Sequence, residues 1–142
     1  MAKSNRISHK ELRQGVTVYQ VHAFGPGRRN HGGWVEKKML VGRPAKGKHQ
    51  NSLCVSVMPP DGSKHYPKDP HNLYRFFLSD RNIPYPGKPA PHLSFHAAFR
   101  SRKAAERYLA RIQSGCFTPA ERERFEAFTR RDELSSLFTN YL

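Results

Sequence analysis

The stretch Gly25–Gly33 constrains the fold of this chain most, because four Gly and one Pro in nine residues cannot hold regular secondary structure. The residues before it are rich in β-formers, which predicts a strand at about 17–24. The residues after it, 34–41, have the composition of a second strand. Two strands joined by such a stretch predict a hairpin with a long, basic tip.

Alternating residues predict two more strands. Residues 42–51 are expected to form a second loop, and Leu53–Met58 then alternates large apolar with small residues, which is the pattern of a third strand. The same alternation over 93–99 predicts a fourth strand. Four Pro in 83–91 indicate an extended connector before it.

The segment between the third and fourth strands carries a helix-start signal. Asp69 followed by Pro70 is typical of an N-cap and a first helical position. The apolar residues that follow fall on one helical face. We therefore expect a short helix at about 70–79, and a strand is the alternative.

The C-terminal third carries the clearest helix signals. Ser101 is the expected N-cap of a helix that Gly115 closes. Thr118 begins a capping box and therefore a second helix, and the charged residues 131–133 interrupt the apolar pattern before a third helix. The inward stripes are Ala105, Tyr108, Leu109 and Ile112 in the first helix, Phe125 and Phe128 in the second, and Leu134, Leu137, Phe138 and Tyr141 in the third.

These elements predict an α+β fold, in which a small antiparallel sheet of order β-β-β-α-β packs against two or three C-terminal helices. At 142 residues the chain is expected to form one domain. We place that domain at 15–142. Residues 1–14 are expected to be a basic flexible arm or a short helix, since Ser8 and Glu11 have capping-box spacing.

The charge of the chain points to a class of partner. Lys and Arg number 25 against 11 Asp and Glu, so the net charge is +14. Residues 1–50 hold 11 basic and 2 acidic side chains, a net of +9. Such an excess repels itself in a compact protein, and a polyanion that neutralises it is the expected partner.

The sequence also argues against several classes of protein. It has no apolar run long enough for a membrane span and no signal peptide, so we expect a cytoplasmic protein with no membrane partner. Cys54 and Cys116 are too few for a disulfide framework, and both are expected to be small core residues.

Enzyme signatures are missing. No nucleophile elbow, phosphate-binding loop or metalloprotease motif occurs, and Asp61, Asp69 and Asp80 lie in predicted turns and caps, where Asp has structural roles. His92 and His96 are four residues apart, but no Cys-x-x-Cys accompanies them. We therefore expect no catalytic residue, no metal site and no cofactor.

The candidate nucleic-acid contacts are the basic residues of the two loops and of the step from the fourth strand to the first helix, together with one aromatic residue. Gly beside Arg and Lys lets the backbone approach a phosphate closely. Trp34 either stacks on an unpaired base or anchors the sheet. The candidates are Arg28, Arg29, His31, Trp34, Lys37, Lys38, Arg43, Lys46, Lys48, Arg100, Arg102 and Lys103.

The leading hypothesis is a small, basic, non-enzymatic nucleic-acid-binding protein. DNA is favoured over RNA because no RRM or KH signature occurs. The length and charge suit an accessory or regulatory factor of a phage or plasmid. The alternative is a basic inhibitor or adaptor that docks on an acidic protein partner. A metal-independent nuclease that uses His and Arg is the third hypothesis. The sequence determines no oligomeric state.

Overall fold

The computed structural model describes residues 5–27, 32–40, 42–46, 53–58, 75–78, 81–84 and 94–140. After a short 3-10 helix, the described residues form strands β1 to β6 and helices α1 and α2. The bounds are His9–Glu11 for the 3-10 helix, Thr17–His22 (β1), Trp34–Leu40 (β2), Ala45–Lys46 (β3), Leu53–Met58 (β4), Arg75–Phe77 (β5), Ala97–Phe99 (β6), Arg102–Gln113 (α1) and Pro119–Asn140 (α2).

The strands form an antiparallel sheet of order β3-β4-β2-β1-β6, with β5 paired to β4. The predicted hairpin is confirmed, because β1 pairs with β2 in a register that sets His22 opposite Trp34. The other edge of β1 pairs with β6, where Tyr19 lies opposite Phe99. The α+β fold class is confirmed, since the helices follow the strands.

The segment predicted as a short helix at about 70–79 contains a strand instead. Its residues 75–77 form β5 and pair with residues 54–56 of β4. The helical spacing of the apolar residues is therefore overridden by sheet pairing, a contact between distant segments that local propensity does not contain. The predicted fourth strand is shorter than expected, because only Ala97–Phe99 is paired. Residues 85–93 and 59–74, with the rest of those predicted elements, lie outside the described residues.

One face of the sheet packs against α1. Alternate residues of β1 and β6 point to this face, where they meet the buried side of the helix. The resulting core contains Val21, Ala23, Phe95, Ala97, Phe99, Ala105, Tyr108 and Ile112, with Leu109, Phe125 and Phe128 partly buried against it. The Tyr108 hydroxyl donates to the Phe95 carbonyl at 2.7 Å, so this buried polar group is satisfied.

The opposite face of the sheet has its own small core. Ile7 and Leu12, from the segment before β1, are buried there beside Val18 and Leu40. The amide of Ile7 donates to the Ala98 carbonyl at 3.0 Å, which holds this segment along the free edge of β6. The sheet is therefore covered on both faces.

Helix α2 runs without interruption through residues 131–133, so the predicted break and third helix are wrong. Residues 120–140 contain neither Gly nor Pro, and charged residues alone do not stop a helix. Leu134, expected on an inward stripe, has 56% of its surface exposed. The side chains of 135–140 lie outside the described residues. Cys116, expected in the core, is exposed.

An ion pair joins the end of α1 to the first turn of α2. The Nη2 of Arg111 donates to Oε2 of Glu121 at 2.8 Å, and the second oxygen of Glu121 accepts from the Thr118 amide at 2.9 Å. The hydrogen bonds from Arg111 lower the pKa of Glu121 to about 2, although burial opposes them. The predicted capping box at Thr118 thus also fixes the angle between the two helices.

Gly33 is fixed by a close backbone approach. It has a φ of +65°, and a Cβ atom built there would lie 2.2 Å from the carbonyl oxygen of His22. No side chain fits at that distance without moving the backbone of β1. Gly32, with a φ of +92°, has nothing within 4 Å of its hypothetical Cβ.

Replacement of Glu121 by Ala is expected to cost about 2 kcal/mol of unfolding free energy, since it removes both the contact to Arg111 and the cap at Thr118. Urea denaturation measures the effect. Glu123→Ala, at an exposed position of the same helix, is the matched control and should cost less than about 0.5 kcal/mol. Equal losses in the two variants would show that the ion pair contributes nothing.

The variants Gly33→Ala and Gly32→Ala distinguish two costs: the clash of a new Cβ atom with a neighbouring carbonyl, and the strain of a positive φ. Both positions have positive φ, so each variant pays about 1 kcal/mol for an L residue in that region. Only Gly33→Ala also meets the His22 carbonyl, and it is expected to cost about 3 kcal/mol or more. The urea midpoints of the two proteins measure the difference. Equal midpoints would mean that β1 and β2 do not approach so closely at this position.

Candidate functional site

The sheet separates the candidate contact residues into two groups. Trp34 lies opposite the last residue of β1, whereas Arg100 follows Phe99, which lies opposite Tyr19 near the first residue of β1. The two positions are four residues apart along the strand, or about 13 Å. Trp34 therefore lies at the tip of the hairpin. Arg100 lies at the opposite end of the sheet, which we call the far end. The candidates therefore do not form one compact site.

The far-end group is partly engaged in internal contacts. The Nη1 of Arg100 donates to both carboxylate oxygens of Glu11, at 2.6 and 2.7 Å. The guanidinium of Arg102 lies 5.3 Å from the centre of the Tyr19 ring. Lys103 and Arg43 are exposed.

The pleat of β2 divides its two lysines between the faces of the sheet. Lys37 lies opposite Tyr19 and is exposed on the α1 side, whereas Lys38 lies opposite Val18 on the other face. Lys46 lies in β3, and its side chain is outside the description. Arg28, Arg29, His31 and Lys48 also lie outside the described residues. Their assignment as contacts stays a prediction.

At the tip of the hairpin, side chains from three strand ends meet on the face opposite α1. They are His22, Phe24, Trp34, Glu36 and His96, which we call the tip cluster. The sequence pointed only to Trp34, because the other four come together through the register of β1 with its two neighbours. Alternation along β1 and β2 was the one signal that could have placed His22 and Glu36 on the face of Trp34.

The indole of Trp34 is held on two sides. Its ring stacks on the imidazole of His22, with 4.5 Å between ring centres and 13° between planes. Its Nε1 donates to Oε1 of Glu36 at 3.1 Å. Even so, Trp34 has 44% of its surface exposed. The side chain is therefore both positioned and accessible.

Glu36 bridges the two rings. Its Oε2 lies 3.4 Å from Nε2 of His22, in a geometry too poor for a hydrogen bond, and among the described residues that nitrogen has no other partner. Burial alone would raise the pKa of Glu36, but the hydrogen bond from Trp34 and the charge of His22 leave the pKa below its usual value. Glu36 is thus ionised at neutral pH.

His96 is a neutral member of the tip cluster. Its ring centre lies 5.4 Å from that of His22 and 5.2 Å from that of Phe24. Its Nδ1 accepts a hydrogen bond from the Ala23 amide at 3.3 Å, so this nitrogen carries no proton. Burial and the charge of Arg81 lower the pKa of His96 to about 4. Burial and Arg81 also lower the pKa of His22.

Cationic side chains lie on the same face as the tip cluster. The Nε of Arg81 donates to Oε1 of the buried Gln20 at 3.2 Å, and its charge acts on both histidines. The charge of Lys38 also acts on His22. The face opposite α1 thus carries aromatic rings and positive charge side by side.

Helix α1 anchors the start of the hairpin tip. Oε1 of Gln113 accepts from the amides of Phe24 and Gly25, at 2.7 and 2.8 Å. Gly25 has a φ of +92°, and a Cβ there would lie 2.5 Å from the ring of Phe125. The residues that precede the basic segment are therefore held in a fixed position.

In the described parts of the chain, no three His, Cys, Asp or Glu side chains lie close enough to hold a metal ion. His92, the residue four positions before His96, lies outside the described residues, so the expectation that this pair holds no metal is not tested. Within the same residues, neither helix has the length and apolar character needed to cross a membrane.

Comparison with known proteins gives one match. A family model described as Phage g100-like protein matches residues 6–112. The match runs from the segment before β1 almost to the end of α1, so it contains the whole tip cluster, whereas α2 lies beyond it. No curated protein and no solved structure matches the chain.

The lowered pKa of His96 predicts loss of stability in mild acid. Between about pH 6.5 and pH 4 the unfolded chain binds more protons at this residue than the folded protein, so the stability that is complete above pH 6.5 falls as pH decreases. His96→Asn retains an acceptor for the Ala23 amide and cannot titrate. The drop in urea midpoint from about pH 7.5 to pH 5 should be smaller in this variant than in the parent. The carboxylates Glu11 and Glu121 act at lower pH, because their folded pKa values lie below 4.5. An equal drop in both proteins would exclude His96 as the cause.

Proposed function

The chain belongs to the phage g100-like family, and we propose that it is a phage accessory protein that binds nucleic acid, with DNA favoured, through the basic surface around the hairpin. The family match supports the association with phage. Nucleic-acid binding is the function that the charge and geometry of the domain favour. The proposal assigns no catalytic step to any residue.

The observation that carries the proposal is how the few acidic residues among the basic residues 1–50 are bonded. Residues 1–50 contain two carboxylates, Glu11 and Glu36. Glu11 binds Arg100, and Glu36 holds the indole of Trp34 and faces His22. Both are used inside the domain, and neither pairs with the basic residues of the loops in the described structure. Residues 1–50 carry a net charge of +9, and this excess of positive charge is what supports a polyanionic partner.

The position of this charge suits a polyanion. The described residues Lys37, Lys38, Arg43 and Lys103 lie toward the end of the sheet away from the hairpin tip, and Lys37 and Lys38 lie on opposite faces. A flexible or wrapping polyanion reaches such a distribution more readily than a single compact acidic patch does. Phosphate contacts of this kind determine affinity and register, and they read no base sequence.

A second candidate function is docking on an acidic protein. The observation in its favour is Leu134, which has 56% of its surface exposed on α2, beyond the family match. Apolar side chains amid charge are typical of protein interfaces. Leu134 lies in the C-terminal half of α2, beyond the residue Phe125 that approaches Gly25, so a variant of Leu134 and a variant of the loop distinguish the two functions.

The loop arginines test nucleic-acid binding directly. The double variant Arg28→Ala with Arg29→Ala is expected to bind duplex DNA more weakly, and the slope of log affinity against log salt should become shallower by about 2, since two phosphate contacts are lost. Gel-shift or anisotropy titrations at several salt concentrations measure both quantities. The thermal midpoint should change little, because loop side chains make few core contacts.

The matched control is Arg107→Ala with Arg122→Ala, which removes the same charge from exposed positions of the two helices. If this control weakens binding as much as the loop variant, net charge and not the loop is responsible. If the parent protein binds DNA with no salt dependence, the polyanion proposal is wrong. Intact substrate at the end of each titration, with and without chelator, would exclude the nuclease alternative.

A further inference from the structure

We infer that Trp34 is a stacking platform for an unpaired nucleobase, so that the hairpin tip binds single-stranded nucleic acid in preference to duplex. This inference rests on the proposed function and adds to it a site and a ligand class. The alternative, that Trp34 only anchors the sheet, accounts for one face of the indole. It does not account for the exposed remainder of the ring.

The ring is held in place before any ligand arrives. His22 stacks beneath it at 4.5 Å, and Glu36 accepts its N–H at 3.1 Å. A large aromatic side chain that is already immobilised loses little conformational entropy on binding. Phe24, at 6.1 Å and tilted by 38°, lines the ring without stacking on it. Within the described residues, no aromatic side chain stacks on the face of Trp34 opposite His22.

The exposure of Trp34 is unusual for this domain. Of the large hydrophobic side chains described, Trp34 and Leu134 are the exposed ones. Leu134 lies on α2, whereas Trp34 lies where the basic hairpin tip joins β2. An exposed, fixed aromatic ring beside cationic residues is the arrangement with which proteins bind single strands, since bases stack on the ring and phosphates follow the positive charge.

The approach to the ring is open. Gly32 has nothing within 4 Å of its hypothetical Cβ, and Gly33 next to it has no side chain. A flat base can therefore approach without displacing a neighbouring side chain of these two residues. Arg28 and Arg29 stand a few residues before Trp34 in the sequence, and Lys38 lies two pleats along the same face. These cations supply the charge complementarity that a phosphate backbone requires.

The contact of Trp34 with Glu36 also determines which part of a nucleobase the platform can bind. The indole N–H is the only hydrogen-bonding group of a tryptophan side chain, and it is already donated to the carboxylate. The platform therefore offers a π-face and no edge contact, so stacking should tolerate any base. Bases in a duplex are covered by their neighbours and cannot reach it, which gives the preference for single strands.

The chain contains one Trp, so its intrinsic fluorescence reports this site alone. We would titrate the full chain with oligo(dT), with oligo(rU), with an abasic strand of the same length, and with a duplex. Quenching by the first two and none by the abasic strand is expected, because only a base can stack. The two homopolymers distinguish DNA from RNA as the source of the base.

Variants of Trp34 measure how much the indole ring contributes to the affinity for a single strand. Trp34→Ala should weaken binding of oligo(dT) roughly tenfold and leave binding of the abasic strand unchanged, since it removes a stacked base but no phosphate contact. Trp34→Phe keeps a π-face and should retain part of the affinity, even if the Ala variant folds poorly. Leu134→Ala is the control for loss of an exposed apolar side chain and should bind all ligands like the parent.

Two results would overturn the inference, and they differ from failure of the proposed function. If the parent binds oligo(dT) and the abasic strand equally, without quenching, nucleic-acid binding stands and stacking at Trp34 is wrong. If folded Trp34→Ala binds oligo(dT) as tightly as Leu134→Ala does, the ring has no specific role. If the parent binds none of the four ligands, the proposed function itself fails.

Discussion

The pairing of β1 with β2 on one edge and with β6 on the other sets the position of every other part of this domain. Because side chains of a strand alternate between faces, β1 contributes Val21 to the core beneath α1 and Val18 to the core beneath the N-terminal segment. The same pairing brings His22 level with Trp34 and His96. A shift of one residue in this register would move each of these side chains to the opposite face. The close approach of Gly33 to the backbone of β1 opposes such a shift.

Three carboxylates of this strongly basic protein stabilise its fold through ion pairs and hydrogen bonds. Glu11 holds the segment before β1 to Arg100 beyond β6, and Glu121 holds α2 to the end of α1. Glu36 positions the indole of Trp34. Glu11 and Glu121 each fix one segment against another, whereas Glu36 fixes a side chain of its own strand. The other described cations include exposed side chains near the sheet, such as Lys37 and Arg43, and exposed side chains of the helices, such as Arg107 and Arg122. Charge excess and structural integrity are thus compatible in one small domain.

The tip cluster combines residues of one hairpin with a residue from a distant part of the sequence. The hairpin supplies His22, Trp34 and Glu36 from residues close in sequence, whereas His96 comes from a segment 60 residues after Glu36. The amide of Ala23 donates to the imidazole of His96 and positions it, and burial together with the charge of Arg81 lowers its pKa. The result is an aromatic base under the one indole of the chain, next to the basic segment between β1 and β2. The family match covers all of these residues, so the arrangement belongs to the matched region of the domain.

Sequence by itself determined the features that depend on neighbouring residues. The hairpin around Gly25–Gly33, the strand Leu53–Met58, and the caps of α1 and α2 follow from glycine content, alternation and hydrogen bonding within one turn, and all are confirmed. Tertiary structure decided what depends on distant partners. β5 replaces a predicted helix because β4 pairs with it. The continuity of α2 through 131–133 is a local property that was misread, since charged residues alone do not stop a helix. The tip cluster formed in the same way as β5: its members are polar or aromatic residues without a shared motif, and only strand register makes them neighbours.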